Sequence, residues 1–209
     1  IPSGCTITNN GTATNFGAST IGALTDVKMD DTNFSDSLLI QTDSDGSAPT
    51  TGTLSSADNN IGIGKDVFST ITSGNKNVAI GNNAGDAITT GYETIAIGHN
   101  ACSALQNGEQ NIGIGSGALD AQVSGGKAVA IGLDALGWLN GSHSVGVGWQ
   151  AGGSSAGANS LYLGYQSYGA GNSDEIILTG SGNPISAGAD TLTFGKNGNR
   201  VYNQFNSNN

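Results

Sequence analysis

Between residues 60 and 164 the apolar positions come in short alternating bursts, and each burst ends at a glycine. The pairs Ile61/Ile63, Val78/Ile80, Ile95/Ile97, Ile112/Ile114, Val129/Ile131, Val145/Val147 and Leu161/Leu163 each flank one residue, usually Gly or Ala. Alternation with period two marks an extended segment with one buried face. Each burst therefore predicts a strand of about five residues with its aliphatic pair inside. The small residue between them (Gly62, Ala79, Ala96, Gly113, Ala130, Gly146) would then point outward. A small outward residue implies that another surface, such as a neighbouring chain, lies close against the strand.

The glycines closing the bursts are Gly64, Gly81, Gly98, Gly115, Gly132, Gly148 and Gly164, spaced 17, 17, 17, 17, 16 and 16 apart. With 35 glycines in 209 residues, six further hits at set positions would arise by chance with a probability of about 2 × 10⁻⁵. Three residues past each glycine stands a small or aliphatic residue: Val67, Ala84, Ala101, Ala118, Ala135, Ala151, Ser167. Four further on come Ile71, Ile88, Leu105, Gln122 and Leu139. A second glycine follows at Gly74, Gly91, Gly108 and Gly125, and one place earlier in the shorter units, at Gly141 and Gly157. Each unit thus reads as two short extended pieces separated by two turns, with glycine where φ is positive or where coils stack too closely for a Cβ. Helices are disfavoured, because glycine costs about 1 kcal/mol per interior helical site. The predicted fold class is all-β: a parallel β-solenoid (β-roll) of about seven 16–17-residue coils, stacked ~4.8 Å apart into a rod of roughly 34 Å.

A coil of this length encloses two aliphatics, one alanine and one further aliphatic. At ~25 cal/mol per Å² that burial barely offsets the ~1–2 kcal/mol per residue needed to order the backbone. Packing three copies about an axis would bury the second aliphatic row (Ile71, Ile88, Leu105, Leu139) and the small-residue strand face. The reading is a homotrimer with cyclic symmetry, intertwined or side by side; the alternative is a monomeric solenoid with a thicker core. Three regions are expected: residues 1–59, rich in Ser, Thr, Asn and Asp, as a linker or capping module; 60–175 as the repeat array; and 176–209 as C-terminal strands or a cap. Apolar runs at Leu38-Leu39-Ile40, Ile176-Ile177-Leu178 and Leu192-Thr193-Phe194 are strand candidates outside the regular array.

Composition narrows the function classes. Only 11% of residues are charged, yet the net charge is −10 with six Lys and Arg in all. That argues against binding nucleic acid or anionic lipid, which need basic clusters. No apolar run approaches the ~18 residues of a membrane helix, so no membrane insertion is expected. The chain opens Ile1-Pro2 rather than with Met, as a fragment or processed form would. Cys5 and Cys102, 97 positions apart, form neither a metal motif nor a disulfide framework.

Units of the form N-[IV]-[AG]-I-G-x-x-A, clearest at Asn77 to Gly85 (NVAIGNNAG), resemble the head repeats of trimeric autotransporter adhesins and the shaft repeats of bacteriophage tail fibres. The resemblance covers residues 60–164, with units somewhat longer than is usual in the adhesin heads. It implies a trimeric, left-handed parallel β-roll with the aliphatic pair inside. The segment Gly198-Asn199-Arg200-Val201-Tyr202-Asn203-Gln204-Phe205 resembles the stretch that precedes the self-cleaving chaperone domain of phage tail fibres. Leu24-Thr25-Asp26-Val27-Lys28 is similar to the opening of many phage fibre modules. These resemblances imply a tail-fibre segment on the virion, structural and host-attaching. Its partners would be upstream fibre or tail proteins and a host cell-surface receptor, a glycan in the leading reading. A bacterial surface adhesin head is the runner-up, located at the bacterial cell surface. A β-helix polysaccharide-degrading enzyme is the third reading, and would require paired acids facing one groove.

No catalytic constellation stands out, and the expectation is a non-enzyme with no cofactor and no metal. His99 and His143 lack carboxylate or cysteine partners at ligand spacing and read as solvated. Asp43-Ser44-Asp45-Gly46 has half of a calcium loop and reads as a turn. Cys102 falls at a position otherwise held by small or apolar residues and reads as a buried free thiol. The sharper feature is aromatic. Trp138, Trp149, Tyr162, Tyr165 and Tyr168 lie within 31 positions, after coils almost devoid of rings. Trp149 and Tyr165 share the coil position of Lys65, Asn82, His99 and Ser116, expected to face out. Exposed rings beside amides suit sugar faces, making Trp149, Tyr165, Tyr168 and Trp138 the candidate glycan-binding residues. The competing reading has these rings widening the core or packing across a trimer.

Overall fold

A computed structural model describes residues 27–41, 49–139, 141–153, 156–168, 173–174, 176–178, 191–196 and 199–204. Its strands in chain order are β1 (Val27–Asp31), β2 (Phe34–Ile40), β3 (Ile61–Ile63), β4 (Val78–Ile80), β5 (Ile95–Ile97), β6 (Ile112–Ile114), β7 (Val129–Ile131), β8 (Val145–Val147), β9 (Leu161–Leu163), β10 (Ile176–Leu178), β11 (Thr191–Lys196) and β12 (Asn199–Gln204). They form one sheet in sequence order, each strand beside the next. Pairing is parallel from β2 to β11, with an antiparallel hairpin at each end, β1–β2 and β11–β12. Register is strict: Val78 pairs with Ile61 and Ile95, and Ile80 with Ile63 and Ile97. Parallel neighbours joined by a short winding connection make a β-solenoid, with six turns between β3 and β9.

All seven alternating bursts are strands, and the runs at 38–40, 176–178 and 192–194 lie in β2, β10 and β11. The second extended piece of each unit is less regular than expected. It ladders from coil to coil, as in Thr72 N–H to Thr89 O (3.0 Å), Thr89 N–H to Gln106 O (2.8 Å) and Gln106 N–H to Val123 O (2.9 Å), without forming a named strand. Asp43-Ser44-Asp45-Gly46 lies outside the described residues.

The orientation of the strands reverses the expectation. The middle residue of each triplet is buried and the aliphatic pair faces out. Ala79, Ala96, Ala130 and Tyr162 are inaccessible, whereas Ile61, Ile63, Ile80, Ile131, Val147 and Leu163 rank among the exposed large hydrophobics. The second aliphatic row is likewise inside its own coil: Ile71, Ile88 and Leu105 are fully buried, and Leu139 nearly so. It is therefore not the surface presented to a neighbour.

The physical reason is volume. The coil interior is filled by Val67, Phe68, Ile71, Ala84, Ile88, Ala101, Cys102, Leu105, Leu119 and Leu136 with their neighbours, which leaves room for only a small group beneath the strand. A Cβ added to Gly62 would come within 2.7 Å of Leu39 Cδ1 and 2.8 Å of Phe68 Cδ2. One on Gly146 would meet Leu136 Cγ at 2.6 Å. Large and small residues trade places along the stack. Where Tyr162 enters the strand position, the facing column holds Gly152, whose Cβ would lie 2.9 Å from the Tyr162 ring. The coil is close-packed on its own terms.

Asparagine explains the start of the motif. Asn77 is fully buried. Its Nδ2 donates to Gly91 O (2.9 Å) and its Oδ1 accepts from Thr94 N–H (2.9 Å). Asn60 does the same to Gly74 O and Asn77 N–H, and Asn111 to Gly125 O and Ala128 N–H. Each side chain thus satisfies one donor and one acceptor on the next coil. Gly81 closes the strand at φ 135°, and a Cβ there would stand 2.5 Å from Gly98 O. Both expected reasons for glycine therefore hold at this column.

Candidate functional site

Two surfaces follow from this geometry. The first is the outer face of the sheet. With the aliphatics of β3 to β10 turned outward, two parallel rows run along the solenoid, led by Ile61, Val78, Ile95, Ile112 and by Ile63, Ile80, Ile97, Ile114. Eight coils at ~4.8 Å make the strip ~34 Å long, with ~7 Å between its rows. An apolar strip that runs unbroken along one face is a candidate interaction surface.

The second surface lies near the C-terminal end of the array. Trp149 and Tyr165 follow the strand-closing glycines of β8 and β9, and both face out as expected, at 44% and 40% exposure. Their ring centroids are 4.8 Å apart with planes tilted by 58°, an arrangement favoured by aromatic quadrupoles. Leu133, one coil earlier at the same position, is exposed as well and extends the apolar column. Beside it runs an amide column. Gln166 Nε2 donates to Gln150 Oε1 (2.9 Å), and the Tyr168 hydroxyl donates to the same oxygen (2.8 Å). Burial pushes the Tyr168 phenol above its ordinary pKa. With Oε1 doubly occupied, Gln150 has its Nε2 donors left to offer.

The structure therefore brings together three of the four candidate residues: Trp149, Tyr165 and Tyr168. Trp138 does not join them. It is 69% exposed, but it sits six positions past its glycine rather than one, and it makes no ring contact with the pair. Tyr162 belongs to the core, where its hydroxyl accepts from Gly157 N–H (3.1 Å), so one ring of the cluster does fill the interior. Leu133, Gln150 and Gln166 were missed at the sequence level, although aligning units at 16-residue spacing places Gln150 directly over Gln166.

Elsewhere the chemistry is quiet. Cys102 is a free thiol, fully buried, and desolvation pushes its pKa up to about 12. Burial, and then the charge of Asp134, raise the Asp120 carboxyl. Among the described residues no group of three or more His, Cys, Asp or Glu is placed to hold a metal ion. Comparison with protein-family models, curated proteins and solved structures gives no match to this chain.

Proposed function

We propose that the chain is a structural and host-attachment segment of a phage tail fibre: a homotrimer with its coils side by side about one axis, binding cell-surface glycan near the C-terminal end of the array. The observation that carries this reading is the outward double row of aliphatics on β3 to β10. A coil with its own apolar core has no internal need for that strip. A second surface of the same kind covers it at no polar cost, and cyclic symmetry about an axis parallel to the solenoid brings identical strips together along their whole length. The number three comes from the resemblance of the repeat, and the preference for a phage fibre over an adhesin head from the Gly198–Phe205 segment.

Attachment then works by avidity. Three copies present three Trp149–Tyr165 platforms, each contributing a weak contact of ring face and amide to sugar. The test is binding of labelled protein to a glycan array and to bacterial cells. Trp149→Ala and Tyr165→Ala should abolish binding while leaving the oligomer mass unchanged. Binding that survives both substitutions refutes the platform.

A further inference from the structure

The corner of the coil just before the strand carries a ladder of side chains, Tyr92 over Glu109, linked by the isolated bridges Tyr92–Glu109 and Glu109–Gly126. The Tyr92 hydroxyl donates to Glu109 Oε2, and this bond raises the phenol pKa. At the next coil the ladder stops, because the chain has Gly125-Gly126 there. The gap is a cleft of about 190 Å³ lined by Asn107, Glu109, Lys127, Ser142 and His143 around the glycine pair. It lies where the repeat shortens from 17 to 16 residues. A Cβ on Gly126 would run into the Glu109 backbone carbonyl and side chain, so the position requires glycine.

The groups around the cleft are mostly donors. Lys127 and His143 occupy the same left-handed position in consecutive coils, with φ 61° and 62°. Each is held by its backbone N–H, Lys127 to Glu109 O (2.9 Å) and His143 to Gly126 O (3.0 Å). Both side chains are exposed. Two coils earlier the column behaves differently: Lys76 pairs with Glu93 at 3.3 Å, and Gln110 Nε2 donates to Glu93 Oε2 at 2.9 Å. Lys127 makes no ion pair among the described residues. Ser142 Oγ accepts from Gly126 N–H (3.2 Å), which leaves its own proton to give. Glu109, held back by Tyr92, supplies an acceptor at one lip.

We infer that this cleft binds a carboxylate-bearing sugar residue. The carboxylate would sit against Lys127 and His143, and the ring hydroxyls against Ser142, Asn107 and Glu109. At ~30 Å³ per displaced water, the volume is that of about six waters, or one sugar ring. A cation and an imidazole stacked ~4.8 Å apart can both reach one carboxylate. The inference depends neither on the Trp149–Tyr165 platform nor on the trimer.

The test is isothermal titration of the whole protein, in its native oligomer, with methyl glucuronide, methyl glucoside and acetate at fixed ionic strength. Saturable binding is expected for the glucuronide, with the glucoside and acetate at least tenfold weaker. Lys127→Gln and His143→Asn should each weaken glucuronide binding at least fivefold. Both substitutions place residues that the column already accommodates, at Gln110 and Asn159, so folding should be retained and is checked by circular dichroism. Lys65→Gln, which removes an exposed cation on another coil, should leave this affinity unchanged. Equal binding of glucuronide and glucoside, no binding of either, or glucuronide affinity indifferent to Lys127→Gln would overturn the assignment. Loss of glucuronide binding in Lys65→Gln would also overturn it, because overall charge and not the cleft would then set the affinity.

Discussion

The asparagine ladder is interrupted at Thr94, and the interruption offers a gain-of-stability test. At Thr94 the column lacks its amide. The Thr94 hydroxyl is buried with no partner, and the N–H of Asn111, which an asparagine at 94 would satisfy, makes no hydrogen bond among the described residues. Thr94→Asn should restore both links, Nδ2 to Gly108 O and Asn111 N–H to Oδ1, on the pattern Asn77 sets one coil earlier. Two net hydrogen bonds at about 0.5–1.5 kcal/mol each, less the entropy of fixing one amide, predict a stabilisation of about 1–2 kcal/mol. For a chain of this length that is roughly 2–8 °C in melting temperature. The reciprocal change, Asn77→Ala, strands a buried carbonyl and a buried N–H and should cost about 3 kcal/mol. Thermal melts followed by circular dichroism at fixed protein concentration measure both. If Thr94→Asn melts at or below the parent while Asn77→Ala loses less than about 1 kcal/mol, the amides are not what joins the coils at this edge.

Three other consequences can be checked on the same protein. Gly81→Ala places a Cβ 2.5 Å from the Gly98 carbonyl at φ 135° and should cost several kcal/mol, about 3 or more, by steric displacement of one coil from the next; a melt within 2 °C or so of the parent would contradict the stacking. Asp120 has its pKa raised in the folded state, first by burial and then by Asp134, so its ionisation opposes folding: stability is lost as pH rises from the ordinary carboxylate value through the raised one, and the loss persists at neutral pH. Asp120→Asn should therefore melt higher than the parent at pH 7, with the difference vanishing at about pH 3, and a difference that grows on acidification would show the opposite linkage. Cys102, its thiol pushed up to about 12 and fully buried, should resist iodoacetamide in the native protein and react once denatured, as peptide mapping by mass spectrometry would report.

What the sequence made legible was the periodic part. A 17-residue spacing of aliphatic–glycine pairs located all seven coil strands, and the glycine column carried its own steric explanation at Gly81. The inside and the outside were not legible from alternation, because period two fixes which residues share a face and not which face is buried. The deciding quantity is how much the rest of the coil already contributes. Phe68, Ile71 and Leu105 fill the lumen, so the strand can add only Gly62, Ala79 or Ala96, and the larger Ile63 and Ile80 are left outside. Asn77 shares a face with Ala79, and a conventional reading puts a polar residue of that kind in water. Its burial makes sense only once Gly91 O and Thr94 N–H are seen on the next coil. At the aromatic end, the outward position of Trp149 and Tyr165 was readable from the repeat alignment. The departure of Trp138 was also implicit there, since it stands at a different coil position. The entry of Tyr162 into the core was hidden because its accommodation depends on Gly152 in the facing column.

The outward aliphatic strip is the feature on which the functional account turns, and native mass tests it most directly. Sedimentation equilibrium of the parent should give three times 20.7 kDa, about 62 kDa, while Ile80→Lys combined with Ile97→Lys, both on the outward face of the sheet, should give 20.7 kDa with the strand signal intact. A parent that sediments as a 20.7 kDa monomer at micromolar concentration, or a double variant that keeps the parent's mass, would contradict the account.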